Sequence, residues 1–544
     1  MWERNFNVLK THYPELAKVL LKEKATAEVC RAASGKATIK IDGVFIHSMR
    51  DPEREALRLV EAVLNAESGN GAIVILGFGL GYAALAAHRL SPKTPLIIVE
   101  KRSCVFRAAL QNTNLFELFD KGRAIFVLDG DGGGVLAALQ AAGNIRAVIR
   151  NQNLLKLDME YYSTAEHYLE LWREKERINA ATLRRFGKRW VRNLAANMDM
   201  FRDLPGINNL AKAFDFPVLV LAAGPSLDRL APFLPGLYRR CVIVAVDTAL
   251  RFLAHHGITA DFAVSADPQY WNLLHLLLEP FPAESLVCCA SVQRRSFFLA
   301  KNTFLISPKF PLGRFIEKAV GEKGCLDAGG SVATSAFDFA RRIRGGPSKP
   351  IIIAGLDLAF PQLKTHYKGA RFEENMLARQ GRFWPAELSA FLAVSGASPF
   401  WAKSASGGTV LTDRRLSLYA KWFEKELLCA KNEVYALFDD GLAIAGLTRQ
   451  PVEMALGLKP CRESIEACKT KLFAAIAGKF SAPEESAARA RRYKIARTQL
   501  EDGLKMLADG KTPVASEIRD IAGFLSPVLN EAESAAFHLK ALGY

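Results

Sequence analysis

The stretch that decides the fold is Val218-Leu219-Val220-Leu221-Ala222-Ala223-Gly224-Pro225-Ser226, an apolar run that enters a Gly-Pro-Ser turn. A continuous apolar run between turn signals predicts a strand that is buried on both faces, as in parallel sheets covered by helices. Pro225 presets the first turn of a helix, and Gly224 is expected to take an unusual backbone angle. The run therefore predicts a strand, a turn and a helix, the repeating unit of an α/β fold.

The same pattern recurs in two series along the chain. The predicted strands of the first series are 72–76, 95–100 and 124–128, and those of the second are 217–221, 241–246, 262–265, 285–289, 303–306 and 350–354. Because these runs are continuous rather than alternating and are separated by helical patterns, they favour parallel strands. We predict an α/β protein with two Rossmann-like lobes and a helical C-terminal region.

Changes in composition divide the chain into five predicted parts. They are an N-terminal α+β segment at 1–70, a Rossmann-like lobe at 71–157, a helical connector at 158–213, a central domain at 214–455 and a C-terminal helical domain at 456–544. The first part contains a hairpin pattern around Asp42-Gly43. The last part is rich in Ala, Glu, Lys and Arg with helical periodicity.

Length and composition exclude several classes of protein. The chain has 544 residues, of which 50% are apolar and 24% are charged. These are the proportions of a folded protein with a large core, not of a disordered, collagen-like or small disulfide-stabilised chain. The 72 Lys and Arg exceed the 56 Asp and Glu and give a formal charge of +16, which favours acidic partners such as nucleotides, nucleic acid or anionic lipid.

The cysteines and the apolar runs point to the cytoplasm. There are nine cysteines, an odd number without a CxxC spacing, so we expect reduced core residues. No run approaches the ~18–20 apolar residues of a membrane span, and the N-terminus lacks the apolar region of a signal peptide. We therefore expect a cytoplasmic protein with no membrane span.

A glycine cluster follows the first strand of the first lobe. It is formed by Gly77, Gly79 and Gly81, and Glu100 ends the next strand. Such a turn brings backbone amides to an anionic ligand, and the acid is placed to accept hydrogen bonds from ribose hydroxyls. The GxGxG spacing is similar to the first motif of class I methyltransferases, but no Asn/Asp-Pro-Pro-aromatic element follows within 120–160. The alternative is a tight turn that has lost its ligand, and we expect this lobe not to methylate.

Polar residues in the central domain cluster where predicted strands end or helices begin. Ligands bind open α/β sheets at the carboxyl ends of the strands, so we predict a site for an anionic ligand there. Its anion contacts are expected at the Gly-Pro-Ser turn and at the glycine-led helix start, although an ordinary helix cap is the alternative at each. The candidate residues are Gly224, Pro225, Ser226, Asp247, Ser265, Asp267, Gly329, Gly330, Ser331, Thr334 and Asp357.

His366 and Tyr367 are the candidate acid/base residues. They follow Asp357 by a short polar loop, and a histidine with a pKa of ~6.5 is able to take a proton near neutral pH. Of the other histidines in the central domain, His255 and His256 fall at a predicted helix C-terminus, and His275 lies among apolar helix residues. We predict His366 as the general base, with Tyr367 as the second candidate.

The order of these motifs resembles the motility-associated factor (Maf) family over about residues 70–450. The resemblance is carried by 224–228, 260–267, 329–334, 355–360 with Thr365-His366, Thr412-Asp413 and 440–446. The central part of that family shares a domain with archaeal MptE-like 6-hydroxymethylpterin diphosphokinases and is similar in fold to bacterial sialyltransferases. This sequence departs from the family at Ala222, which stands where the family's Gly-x-Gly-Pro-Ser phosphate loop has its first glycine. Alanine causes little backbone strain at that position unless its φ is positive.

The resemblance implies a flagellin glycosyltransferase. Such proteins transfer a nonulosonic acid, pseudaminic or legionaminic, from a CMP-activated donor to Ser or Thr hydroxyls. The implied partners are flagellin and the nucleotide sugar, and the Gly-Pro-Ser turn and the glycine-led helix start would then contact the phosphate and ribose of the donor. We further predict that the central lobe holds the donor and that the first lobe and the tail hold the acceptor. The CMP-sugar is a substrate and no cofactor is assigned; Mg²⁺ at Asp247 and Asp267 stays open, because no dense DxD motif surrounds them.

Two other functions remain open from the sequence. A pyrophosphokinase acting on a pterin alcohol would bind ATP at the same turns, with Asp247, Asp267 and Asp357 as Mg²⁺ ligands. A non-catalytic RNA-binding or scaffold protein would use the basic, aromatic tract at 184–192, although such tracts are more often solvated helix faces, so nucleic acid is not the expected partner.

Overall fold

The computed structural model describes the chain except residues 23–26, 68–70, 120–122, 129–132, 328, 347, 430–433 and 512–514, and except the side chains of Lys175 and Cys429. The chain forms two compact units, Met1–Thr182 and Leu183–Tyr544. The finer division into five parts remains a prediction.

The first unit begins with two helices and a small antiparallel sheet. The predicted hairpin is confirmed, and both residues of its two-residue turn, Asp42 and Gly43, have the positive φ (48° and 82°) that a type I′ turn requires. The elements are α1 (Trp2–His12), α2 (Pro14–Lys22), β1 (Glu28–Arg31), β2 (Ala37–Ile41) and β3 (Val44–Phe45).

A parallel sheet forms the core of the first unit. Its elements are α3 (Pro52–Ala66), β4 (Ala72–Leu76), α4 (Tyr82–Leu90), β5 (Leu96–Glu100), α5 (Ser103–Asn112), α6 (Phe116–Phe119), β6 (Ala124–Leu128), α7 (Gly134–Ala142), β7 (Ile145–Arg150) and α8 (Gln152–Leu157). The strand order is β6-β5-β4-β7 and every pair is parallel. This is the order of a Rossmann half, so the predicted class of this lobe is confirmed.

A long helix contains the boundary between the two units. This helix, α9 (Met159–Ala196), is followed by α10 (Met198–Asp203) and by a 3₁₀ helix, Ile207–Leu210. The predicted helical connector therefore consists of one long helix and two short ones.

The second unit is built on a larger sheet. Its strands are β8 (Val218–Leu221), β9 (Val242–Val246), β10 (Ala260–Ser265), β11 (Ala283–Cys289), β12 (Asn302–Ile306) and β13 (Ile351–Ala354). The segments between these strands contain the helices α11 (Leu234–Tyr238), α12 (Leu250–His255), α13 (Tyr270–Leu276), α14 (Pro311–Val320) and α15 (Val332–Ile343), and the 3₁₀ helices Pro225–Phe233, Asp247–Ala249 and Arg294–Phe298.

An insertion follows β13 before the sheet is completed. It contains the 3₁₀ helix Pro361–Leu363, α16 (Arg371–Ala378), α17 (Ala386–Ser395) and the antiparallel pair β14 (Phe400–Lys403) and β15 (Thr409–Thr412). After it come α18 (Arg414–Cys429), β16 (Val434–Ala436), β17 (Thr448–Arg449) and α19 (Val452–Leu456). The order of the large sheet is β12-β11-β10-β9-β8-β13-β16-β17, with every pair parallel, as predicted for the central domain.

The strand order places a ligand site beside β8. From β8 the chain continues to β9 on one side, whereas β13 pairs with the other side of β8. The loops after β8 and β13 therefore leave the sheet on either side of a crevice, which is where open α/β sheets bind ligands. The Gly-Pro-Ser turn lies at this edge.

The C-terminal region is helical, as predicted, and packs on the large sheet. Its helices are α20 (Arg462–Phe480), α21 (Pro483–Ala508), α22 (Ser516–Gly523) and α23 (Glu531–Ala541), and they share one hydrophobic core with the sheet. The Lys469 Nζ lies 2.7 Å from Asp261 Oδ1, a pair that is buried at the start of β10 and joined by Arg462. The family motif residue Asp261 therefore anchors the tail at the edge opposite the crevice.

Each cysteine whose side chain is described is a free thiol. No helix in the described ranges is long and apolar enough to cross a membrane.

Candidate functional site

A cleft of about 420 Å³ opens at the carboxyl ends of β8, β9 and β13. Four of the predicted site residues line it: Gly224, Ser331, Asp357 and His366. They come from four separate loops. The cleft is large enough for a nucleotide-sized ligand, since ligand pockets usually measure roughly 300–1,000 Å³.

The Gly-Pro-Ser turn is held by Asp357. The main-chain N–H of Ser226 donates to Asp357 Oδ2 at 2.8 Å, and that of Gly224 donates to the Gly355 carbonyl, also at 2.8 Å. The expected unusual angle at Gly224 is wrong, because its φ is −70° and its ψ 166°. A glycine is needed there for space, since a Cβ would lie 2.3 Å from Asp357 Oδ2.

The departure at Ala222 has no backbone cost, because its φ is not positive. Pro225 opens a 3₁₀ helix rather than an α-helix, and Ser226 is buried beneath the turn. Pro225 and Ser226 therefore shape the cleft without lining it, whereas Gly224 borders it.

Two of the family motifs support the loop that carries Asp357. Thr412 Oγ1 donates to the Leu358 carbonyl at 2.8 Å, and the N–H of Leu442 donates to the Asp357 carbonyl at 2.7 Å. Gly441 lies so close that a Cβ would be 2.3 Å from that same carbonyl oxygen. Burial raises the pKa of the Asp357 carboxyl above its usual range.

The N-terminal end of α15, which follows Gly329 and Gly330, forms part of the cleft wall. Ser331 caps the helix, its Oγ accepting from the Ala333 N–H at 3.2 Å, and it lines the cleft. Thr334 Oγ1 donates to the Ser331 carbonyl at 2.6 Å and accepts from the Gly329 N–H at 2.8 Å. Gly329, Gly330 and Thr334 thus form the turn behind the wall, and the N-terminus of α15 faces the cleft with its positive dipole end.

A cation completes this side of the cleft. Arg415 lines it together with the start of α15. Arg415 was not predicted from the sequence, because it lies in what is otherwise an ordinary helix start after Asp413. There Asp413 Oδ1 accepts from the Leu416 N–H at 2.7 Å. A helix N-terminus and an arginine together favour a phosphate.

His366 also lines the cleft. Its Nδ1 is 3.0 Å from Thr365 Oγ1, and its ring centroid is 5.9 Å from that of Phe372. Burial, with smaller contributions from His275 and Arg415, lowers the pKa of His366 to about 4. The imidazole is therefore neutral at pH 7, the state required of a general base.

Tyr367 occupies a different environment from its neighbour. It is fully buried, its hydroxyl donates to the Thr248 carbonyl at 3.0 Å, and its ring packs on Phe252. Burial raises its pKa above the usual range. Tyr367 does not line the cleft, so the structure places this second catalytic candidate in the core, where it positions the loop.

Asp247, Ser265 and Asp267 accept hydrogen bonds from α13 and from the residue before it. Asn272 Nδ2 donates to Asp247 Oδ2 at 3.0 Å and to Ser265 Oγ at 2.9 Å, and Asp267 accepts from the Gln269 N–H at 2.8 Å. None of the three predicted residues lines the cleft. Within the described ranges no group of three or more His, Cys, Asp or Glu side chains is arranged to hold a metal.

A second cavity of about 400 Å³, which was not predicted from the sequence, lies in the same unit. Phe372 lines both cavities, and His275, Trp271 and Trp384 line the second. His275 was predicted to lie among apolar helix residues. Its spacing of three from Asn272 puts both polar side chains on one face of α13, which was the available signal.

The glycine loop of the first unit is bonded to its own protein. Glu100 Oε2 accepts from the N–H of Phe78 at 2.9 Å and of Gly79 at 3.2 Å, while His47 Nε2 accepts from that of Leu80 at 2.9 Å. Burial raises the pKa of Glu100 to about 7 and lowers that of His47 to about 4. Gly77, Gly79 and Gly81 all have positive φ. These bonds fit a turn retained without a ligand.

The basic tract at 184–192 packs its half-buried Trp190 against the second unit. Trp190 stacks on Phe310 with 4.9 Å between ring centroids, and Lys188 and Arg192 lie over the ring of Phe537. Trp190 is therefore engaged with the protein rather than presented to nucleic-acid bases.

Comparisons with known proteins agree with this architecture. Residues 189–363 match the family model described as 6-hydroxymethylpterin diphosphokinase MptE-like. The whole chain is similar in structure to the Maf glycosyltransferase of Magnetospirillum magneticum AMB-1, with a TM-score of 0.58 and 15% identity, covering 99% of this chain and 88% of that one. The resemblance to the Maf family and its MptE-like domain is thereby confirmed, and at this identity the likeness shows a shared fold.

Two proteins of Treponema pallidum (strain Nichols) are related in sequence. One is 32% identical over a match that covers 39% of this chain and 62% of that protein. The other is 26% identical and covers 44% of this chain and 85% of that protein. The chain thus spans less than two thirds of the first relative.

Proposed function

We propose that this protein is a glycosyltransferase that moves a nonulosonic acid from a CMP-activated donor to Ser or Thr hydroxyls of a flagellin. The observation that carries the proposal is the cleft itself: the Gly-Pro-Ser turn, the N-terminus of α15 and His366 meet at the switch point of the large sheet. The Maf glycosyltransferase fold supports the same reading of the cleft.

The donor phosphate fits the wall formed by Ser331 and Arg415. Both line the cleft, and the dipole of α15 and the guanidinium are able to stabilise the negative charge that develops on CMP as it leaves. Gly224 leaves its part of the cleft wall free of a side chain, so that backbone approaches the ligand closely.

His366 is the proposed base. The acceptor hydroxyl oxygen attacks the anomeric carbon of the sugar, and the bond from that carbon to the phosphate oxygen breaks. CMP leaves with the bonding electron pair, and the hydroxyl proton passes to the neutral imidazole. Thr365, 3.0 Å from Nδ1, orients the ring for this step.

The geometry does not favour the pyrophosphokinase alternative. That reaction would use Asp247, Asp267 and Asp357 as Mg²⁺ ligands around the triphosphate. Of these, Asp357 alone lines the cleft, and the other two accept hydrogen bonds from Thr248, Asn272 and Gln269.

The experiment compares the two reactions directly. The purified protein is incubated either with CMP-pseudaminic or CMP-legionaminic acid and a flagellin, or with ATP and 6-hydroxymethyl-dihydropterin, and the nucleotide products are separated. We expect flagellin-dependent release of CMP and a mass increase of the flagellin by one sugar residue. Release of AMP in the second mixture, without CMP in the first, would replace this proposal with the kinase.

A further inference from the structure

The second cavity has the composition of a protein-binding site. Its walls include Trp271, Phe372, Met376 and Trp384, together with two arginines. Aromatic residues, methionine and arginine are the types enriched at the centres of protein interfaces, where Asp, Glu and Lys are depleted. No Asp, Glu or Lys is among the residues that line this cavity in the described part of the chain.

The aromatic side chains around it are unusually exposed. Trp271 is 61% exposed, Trp384 52% and Phe383 90%. Tyr270 and Leu377, which neighbour lining residues on α13 and α16, are also exposed. Because large apolar side chains in water are unfavourable by ~25 cal/mol per Å², a cluster of this kind marks a surface that another molecule covers.

Two arginines give the lining of the cavity a positive charge. They are Arg371 and Arg379. Within the described residues neither lies within salt-bridge distance of a carboxylate, while the carboxylates of Asp247 and Asp267 act electrostatically on His275 of the same lining. The Arg371 Nε is buried without a hydrogen-bond partner among the described residues. A ligand with a carboxylate beside an apolar group would pair with the arginines and cover the exposed aromatic side chains.

The cavity adjoins the proposed reaction centre. Phe372 lines it as well as the cleft, and the ring of Phe372 lies 5.9 Å from that of His366. A chain seated in the second cavity therefore has its next residues beside the proposed base.

We propose that the second cavity binds the acceptor polypeptide, seating an apolar side chain between Trp271 and Trp384 and an acidic residue against Arg371 and Arg379. The exposed apolar residues extend beyond the cavity to Phe383 and Leu377, a reach that suits a peptide rather than a single sugar. The inference rests on the proposed function, because it takes the occupant to be the acceptor of the same reaction. It places the acceptor in the central domain, not on the first lobe and the tail as expected from the sequence.

The test uses the peptide Gly-Asp-Phe-Ser-Asp-Leu-Gly-amide, labelled with fluorescein at its N-terminal amine, and the full chain. Its affinity is measured by anisotropy for the wild type, for the Trp271→Ala/Trp384→Ala double variant and for Arg379→Gln. We expect each variant to weaken binding at least about tenfold, the usual cost of removing an interface anchor. The same peptide with lysines in place of its aspartates should bind more weakly than the original.

Two controls separate this inference from a folding defect and from the proposed function. Trp401→Ala removes a tryptophan that is 69% exposed on β14 and does not line the cavity, and it should leave the peptide affinity unchanged. CMP affinity should stay unchanged in all these variants. If the wild type binds the peptide in the cavity but does not bind CMP, the proposed function is wrong and the peptide site is retained.

Several results would overturn the inference. They are an absence of peptide binding below about 1 mM, equal losses in the cavity variants and in Trp401→Ala, or an acidic peptide bound no better than the basic one. Binding of N-acetylneuraminic acid or of anionic phospholipid vesicles that depends on Trp271 and Trp384, with no peptide binding, would assign the cavity to a sugar or to a membrane instead.

Discussion

The two glycine turns of this protein have the same local structure, but one is filled by a side chain and the other borders an open cleft. Each follows a buried parallel strand, β4 in one unit and β8 in the other, and each has a main-chain N–H bonded to a buried carboxylate. In the first unit Glu100 accepts from Phe78, and in the second Asp357 accepts from Ser226. A strand-end acid therefore fixes the turn in both units.

What differs is the side chain that faces the turn. In the first unit His47 takes the Leu80 N–H and lies against Gly79, where a Cβ would be 2.5 Å from its Nε2. In the second unit Ser331 and His366 stand back from the turn and leave a cleft of about 420 Å³. A strand–turn–helix pattern is thus not sufficient for a site, because residues from distant segments decide whether the turn is filled.

The largest effect is expected from His366→Ala. Turnover should fall ~10²–10⁴-fold, the range for a lost general base, because no other described residue of the cleft offers a neutral imidazole at the same place. Donor affinity should change little. Transfer rates and CMP affinity are measured on the same preparation; turnover that survives within a few-fold would make His366 a structural residue.

Tyr367→Phe is the matched control for that variant. It removes only the hydroxyl that donates to the Thr248 carbonyl, so we expect a loss of about 1 kcal/mol in the free energy of unfolding and no more than a few-fold change in turnover. A fall in turnover as large as that of His366→Ala would make Tyr367 a catalytic residue.

Gly79→Ala tests whether the first turn is closed by His47. Gly79 has a φ of +56°, and the added methyl would meet the imidazole. We expect β4 and β5 to lose about 1–3 kcal/mol of stability by hydrogen exchange. Gly35→Ala, with a φ of +78° in open space, measures the backbone strain alone and should cost less. Equal costs would mean that His47 does not fill the turn.

The pH dependence of transfer should reflect the buried imidazole. A base must be neutral, and burial lowers the pKa of His366 to about 4, so activity is retained as the pH falls and is lost only below about pH 5. A histidine of ordinary pKa, ~6.5, would already lose about three quarters of its activity at pH 6. A kcat/KM profile with its acid limb near pH 6.5 would contradict the assignment.

The smallest expected effect is that of S-adenosylmethionine. Since the amides of Phe78, Gly79 and Leu80 are bonded to Glu100 and His47, calorimetric titration should show no binding tighter than about 1 mM. A micromolar dissociation constant would mean that the first turn opens to a ligand.

Much of the fold was predictable because its strands and turns have local sequence patterns. Continuous apolar runs predicted the parallel strands, and the residues after 217–221 correctly predicted a turn at the end of β8. The short strands β16 and β17 and the insertion at α16–β15 were not predicted. Two- and three-residue strands carry too little periodicity, and the sheet rather than their own sequence orders them.

The candidate site was predictable in part. Gly224, Ser331, Asp357 and His366 meet at the cleft because each follows a strand or opens a helix at the same edge. Asp247 and Ser265 satisfied the same rule, yet Asn272 folds back to bond both. A contact of this kind depends on how α13 packs, which no local pattern encodes. The same is true of Trp271 and Trp384, which lie more than one hundred residues apart.

Titration with CMP tests the central claim most directly. The comparison is between the wild type, Gly224→Ala, in which the methyl would meet Asp357 Oδ2, and Gly408→Ala, where a Cβ would lie in open space. The account predicts that CMP binds the wild type and Gly408→Ala equally and that Gly224→Ala, still folded by its thermal transition, binds at least about tenfold more weakly. Absence of CMP binding by the wild type, or equal affinity in all three proteins, would contradict it.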